Sequence, residues 1–390
     1  MKLGEDIIGK SGLSPFFQVG NAAEIGLSAP DNRKGDALRT LVRSLSGFQK
    51  EALVTSARSG LTWRLVSDEG AYLAGHDAAP CPLAFLTTGM VSAYMNEITA
   101  LAAQQGVTLR KLRIIQNNYY TMLGSMRART MVGGALPVEL EVEVDCDLDN
   151  AALQELLMNA VHASPLNGLM RGKLPSLFTL SKNGAQIETG QAEALDAPVV
   201  EPAAPGASQA ILSDMTLIER FGMSPEKAVA KGTKAAASSL SDHQDRTLNP
   251  SGICTLREDG VKEIEQHLYS PHGSIFRFLS DEQGRAPDAV SYISAGIAFC
   301  FMTQFGRMAS MEKLDLPSYA IVQDTHFSLG GASGGTGKAG EADPVETHVH
   351  LQTTEGDDVA RDMLDVSEQT CFLHAFCRTD LKTKLKITRV

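Results

Sequence analysis

The chain repeats itself at a fixed spacing, and this restricts its fold more than any short motif does. Pro80 matches Pro287, an offset of 287 − 80 = 207. The same offset pairs Gly89 with Gly296, Met95 with Met302, Gln116 with Gln323, and Pro137-Val138-Glu139 with Pro344-Val345-Glu346. It still holds where Arg171 meets Arg378 and Leu174 meets Leu381. One register kept without a gap across residues 80–181 marks a duplicated unit. Upstream, Trp63-Arg64-Leu65-Val66-Ser67-Asp68-Glu69 resembles Phe276-Arg277-Phe278-Leu279-Ser280-Asp281-Glu282 at an offset of 282 − 69 = 213. The extra residues fall in the Gly70–Ala79 loop. The chain therefore divides into a unit at 1–182, a linker at 183–212 and a second unit at 213–390.

Each copy reads as three extended segments, a buried helix, two strands, a second helix and a closing strand, an α+β arrangement. In the first copy, residues 26–36 read as loop and Leu61–Val66 as extended. Pro82 opens an apolar helix, Leu83–Leu101, and Leu109–Tyr120 follows as strand. Val138–Val144, VELEVEV, alternates with the period of a half-buried strand. Asn150 is placed to cap a helix running to about Leu169. Residues 183–212 contain Pro198, Pro202 and Pro205, with no Lys or Arg between Lys182 and Arg220, which is linker composition. Ser224-Pro225-Glu226 predicts a helix start, with the helix reaching about Leu240. Extended segments follow at Ile253–Arg257, Val261–Tyr269 and Ile275–Leu279.

The buried helix of the second copy carries no charge from Ala289 to Met302, and its small residues Ser294, Ala295, Gly296 and Ala298 suit close packing. That run is shorter than the roughly 20 apolar residues a bilayer requires. A formal net charge of −11 argues against nucleic acid and anionic membrane surfaces as partners. No apolar run follows Met1-Lys2, so no signal peptide is expected. Six cysteines in 390 residues are too few for a disulfide framework and point to a reducing cytoplasm.

The copies differ at two thiols. Cys300 falls opposite Ala93, and Cys371 opposite Ser164. Two cysteines present together in one copy and absent together from the other suggest a shared chemical task. Two small buried side chains are the alternative, since free cysteine is among the most buried residue types.

This layout resembles the OsmC/Ohr family of thiol peroxidases. Gly296-Ile297-Ala298-Phe299-Cys300 is similar to the family's first cysteine motif, and Glu368-Gln369-Thr370-Cys371 to its second. The family forms intertwined dimers of about half this length. The resemblance therefore implies two OsmC-like units in one chain, with central helices between curved antiparallel sheets, as an intramolecular pseudo-dimer. It implies a thiol-dependent hydroperoxide reductase in which Cys300 attacks the peroxide and Cys371 resolves the sulfenic acid as a disulfide. It further implies an arginine beside the thiol, Arg277 or its repeat partner Arg64, and a carboxylate, Asp288. The substrate would be an organic hydroperoxide and the reductant a dithiol or lipoyl-type thiol, with no cofactor and no metal. A homo-oligomer is left open. The sequence departs from the family at Ala286-Pro287-Asp288, where Asn-Pro-Glu is usual, and at Phe372, where proline is usual. A non-catalytic small-molecule-binding or scaffold protein of the same fold is the competing reading.

Two other constellations carry weaker signals. Cys371, His374 and Cys377, with His348 and His350, lack standard zinc spacing. The run Gly330–Ala339 is phosphate-loop-like in glycine content, but Ala332 and Ala339 stand where glycine and Ser/Thr are required.

Overall fold

The computed structural model describes residues 4–12, 14–203, 207–211, 213–225 and 238–390. The elements of the first half are α1 (Ile7–Lys10), β1 (Phe17–Val19), β2 (Gly35–Ser46), β3 (Gln49–Ser56), β4 (Thr62–Ser67), α2 (Pro82–Gln104), β5 (Lys111–Asn117), β6 (Tyr120–Ser125), β7 (Val132–Ala135), β8 (Val138–Asp145), α3 (Asn150–Ala163), α4 (Leu166–Arg171), β9 (Ser176–Lys182) and β10 (Ala185–Ile187). Those that follow are β11 (Ala210–Ile211), β12 (Ile218–Met223), β13 (His243–Leu256), β14 (Lys262–Ser270), β15 (Ser274–Ser280), α5 (Ala289–Glu312), β16 (Ser318–Ser328), β17 (Val345–Gln352), α6 (Asp357–Thr370), α7 (Phe372–Arg378) and β18 (Thr383–Arg389). Several bounds recur at the repeat offset: α2 and α5 begin at 82 and 289, α3 and α6 at 150 and 357, β9 and β18 at 176 and 383.

The protein is α+β, with two large sheets, and both sheets mix strands from the two halves. In one, β2, β3 and β4 join β16 and β17, and β9 then pairs with β17 in parallel. In the other, β13, β14 and β15 join β5 and β8, and β18 pairs with β8 in parallel. Helix α5 packs on β2, β3 and β16, while α2 packs on β13, β14 and β5. The two helices pack on each other between the sheets. Each is covered on both sides, which explains apolar residues all round rather than along one stripe.

The helices approach closely because two glycines permit it. A Cβ on Gly296 would stand 2.6 Å from the Leu86 nitrogen, and one on Gly89 2.5 Å from the Ala289 carbonyl oxygen. Asp288 caps α5 by accepting a hydrogen bond from the Ser291 N–H at 2.8 Å. The helix ends at Lys313, which adopts the left-handed conformation. It extends past Met302 to Glu312, so it is long and apolar enough to cross a bilayer, yet that apolar stretch is wholly buried inside the fold.

Several local expectations are corrected. Strand β2 begins at Gly35, inside the stretch read as polar loop, and β13 begins ten residues before Ile253. Asp149, not Asn150, caps α3, accepting from the Ala152 N–H at 2.9 Å. The helix expected to reach Leu169 breaks at Ser164, which is extended because Pro165 follows it. The linker contributes two short strands, β10 and β11. The helix expected from Ser224 falls largely on 226–237, outside the described residues.

Candidate active site

Helix α5 brings Cys300 to a small cavity at the junction of the two halves. Its walls include Glu69, Tyr72, Cys81 and Leu83 from the first half, and Arg246, Leu268, Thr303, Gln304, Arg307 and Phe372 from the second. Cys300 is 2% exposed and Cys371 is fully buried. Cys371 occupies the break between α6 and α7 rather than the body of a helix. Cys300 lies near enough to Cys371 to bear on its protonation. Burial, and then the adjacent Cys300 thiol, push Cys371 well above the ordinary thiol range.

Two guanidinium groups face this cavity. Arg307 lies seven residues after Cys300 on α5, two turns along the same helix face. Its Nε donates to the Ser239 carbonyl at 2.8 Å, and its terminal nitrogens meet the Met122 and Met131 sulfurs at 3.6 and 3.0 Å. Arg246, on β13, donates to the Ser239 hydroxyl, while its Nε has no hydrogen-bond partner among the described residues. Burial lowers Arg307 to about 9 and Arg246 to about 10, the proximity of Arg246 adding to the effect on Arg307. Both remain cationic at neutral pH.

A buried ionic cluster lies beside them. Thr303 donates to Glu69 at 2.9 Å, and Tyr72 donates to the other oxygen of Glu69 at 2.7 Å. Lys50 donates to Thr303 at 2.9 Å and to the Phe48 carbonyl at 2.7 Å, and its ammonium is 4.0 Å from Glu69. Desolvation lowers Lys50 and raises Glu69, each drawn back by the other's charge. The site thus combines a buried thiol at the cavity, a second thiol close by, and an excess of positive groups. That combination suits attack by sulfur on a polarised bond with charge building on a leaving oxygen.

The arginines expected from the sequence are elsewhere. Arg277 is bound to Glu219 at 3.1 Å and lies over the Phe221 ring at 4.1 Å. Arg64 is bound to Glu51 at 2.6 Å and to the Ser14 and Pro15 carbonyls. Neither lines the Cys300 cavity. Asp288 caps the far end of α5, twelve residues from Cys300, or about 18 Å along the axis. Its carboxylate is 3.5 Å from Arg58. The structure therefore brings Cys300 and Cys371 together and supplies Arg246, Arg307 and Glu69 in place of Arg277, Arg64 and Asp288. Arg307 had a readable signal: it is the first charge after Ala289, at helical spacing from the cysteine. Arg246 had none, because its approach depends on tertiary pairing.

The fold and site define an α+β protein with a paired-thiol centre. Residues 281–386 match the family model described as OsmC-like protein. A crystal structure of an OsmC-like hydroperoxide resistance protein from Jannaschia sp. CCS1 is 20% identical, with a TM-score of 0.20, over 32% of this chain and 79% of that one. No curated protein matches the chain.

Proposed function

We propose that this protein is a thiol-dependent organic hydroperoxide reductase with one two-cysteine site, built from two OsmC-like units that form an intramolecular pseudo-dimer. The observation that carries the reading is the nearness of Cys300 to Cys371 beside two buried guanidiniums. Cys300 attacks the terminal peroxide oxygen, the O–O bond breaks, and an alcohol leaves. The resulting sulfenic acid condenses with Cys371, releasing water and leaving a disulfide. Arg246 and Arg307 favour the thiolate and the departing oxygen. The apolar wall of Leu83, Leu268 and Phe372 suits an organic rather than a purely aqueous peroxide. A dithiol or lipoyl-type reductant would close the cycle. Six unpaired cysteines support the cytoplasm as the compartment.

Steady-state turnover of an organic hydroperoxide with a dithiol reductant tests the reading. Turnover that is lost in Cys300→Ser is the expected result. If the wild-type protein shows no turnover and Cys300 stays reduced under peroxide, the binding or scaffold reading takes its place.

A further inference from the structure

A third thiol shares this cavity and has no role in the two-cysteine scheme. We propose that Cys81 is a second resolving cysteine, able to condense with oxidised Cys300 in place of Cys371. This rests on the hydroperoxide reading above. Cys81 stands immediately before Pro82, at the N-cap of α2, and lines the same cavity as Cys300. Leu83 and Thr303 line it as well, so the start of α2 and the Cys300 turn of α5 face the same space.

The surroundings agree. The buried Arg246 also lines the cavity, with its Nε unpartnered. Cys81 keeps partial solvent exposure, whereas Cys300 and Cys371 are buried. A Cys81–Cys300 disulfide would therefore be more accessible to an external reductant than a Cys300–Cys371 disulfide. The chemistry balances without a new co-reactant. The hydroperoxide oxidises Cys300 to sulfenic acid and leaves as alcohol. The Cys81 sulfur then displaces the sulfenic oxygen, which departs as water.

The test uses the full-length Cys371→Ser protein, treated with two equivalents of an organic hydroperoxide, enough to carry an unresolved thiol to sulfinic acid, and mapped by peptide mass spectrometry. The expected product is a linked Cys81–Cys300 peptide with loss of both thiols. The same treatment of Cys81→Ser/Cys371→Ser should leave Cys300 unlinked and driven to sulfinic acid. Cys371→Ala replaces Cys371→Ser if serine prevents folding at this apolar position. Sulfinic Cys300 beside a free Cys81 in the single variant would overturn the inference and leave the hydroperoxide reading standing. If Cys300 remains reduced in the wild-type protein as well, both fall.

Discussion

Arg307→Met should make the protein more stable and less active. Arg307 is 1% exposed, and no carboxylate pairs with it among the described residues. Burial drags its pKa down to about 9. At ~1.4 kcal/mol per tenfold change in proton affinity, that charge costs the fold up to ~5 kcal/mol. Methionine fills a similar volume and adapts to the Met122 and Met131 side chains. Against the gain stands the hydrogen bond to Ser239, whose orphaned carbonyl costs about 1–3 kcal/mol. A net gain of about 2 kcal/mol is expected in urea unfolding. The pH dependence follows from the sign of the shift. The folded-state pKa lies below the unfolded one, so the penalty is fully present below about pH 9 and fades as the pH rises through that value. The advantage of the variant should be flat near neutrality and shrink in alkaline buffer. Loss of a cation that faces the cavity removes a charge placed to stabilise the departing oxygen, so peroxide oxidation of Cys300, followed by stopped flow, should slow ~10-fold or more. An Arg307→Met protein less stable than the parent by ~1 kcal/mol, or one that oxidises at the parent rate, would refute the reasoning.

Asp288→Asn should stabilise the protein at pH 7 but not at pH 4. Burial, then Glu282 and Asp36, raise Asp288 from 3.8 to about 6, so its penalty is absent below the unfolded value, grows between the two, and is fully present above about pH 6. The difference should approach, at most, ~3 kcal/mol in unfolding free energy measured at the two pH values. Asn keeps the cap, and Arg58 keeps Asp36 and Glu282 as partners at 3.4 and 3.5 Å. Gly296→Ala should lower stability by about 1–3 kcal/mol despite alanine's better helix propensity, because its methyl meets the backbone of α2. Thermal unfolding checks this, and an unchanged or raised midpoint contradicts it. Fragments 1–182 and 213–390 should each fail to fold alone, since each would leave a sheet unfinished, and should regain native circular dichroism when mixed. A cooperatively folded single fragment would contradict the pseudo-dimer.

What was legible in the sequence was periodic or local. Alternation exposed β8, proline and small residues exposed α2 and α5, and the repeat set Cys300 and Cys371 opposite Ala93 and Ser164. What was hidden depends on partners distant in sequence. Arg277 looked suitable because it precedes the cysteine helix, but its strand turns it toward Glu219 and Phe221. Lys50 reads as one more surface lysine between Gln49 and Glu51, yet it is completely buried because α5 from the other half lies over β3. The position of Ser239, which binds Arg246, Arg307 and the Tyr72 carbonyl, could not be read from any local pattern.

The two halves share a buried ionic plan and diverge in what faces it. Lys50 approaches Glu69 beneath Thr303, and Lys262 approaches Glu282 at 3.6 Å while donating to Asn96 at 2.7 Å. Thr303 and Asn96 are separated by 303 − 96 = 207, and Glu282 and Glu69 by 213. This plan is therefore tied to the strand exchange, since each pair sits under a helix from the other half. The difference lies along the helix. Where α5 has Cys300, Gln304 and Arg307, α2 has Ala93, Glu97 and Ala100. Glu97 is buried and accepts hydrogen bonds from the Ala332 N–H at 2.8 Å and from the Ser333 hydroxyl. Gly331 and Gly340 donate to the carbonyls of Ala163 and His162, both at 2.9 Å. A Cβ on Gly340 would collide with the Ser164 carbonyl. The glycine-rich stretch is thus pressed against backbone where no side chain fits, and it covers the Ser164 side of the first half. A carboxylate at 97 gives that stretch an acceptor to dock on. The neutral Gln304 instead bonds the Cys300 carbonyl and Thr370, leaving a cavity beside the thiol.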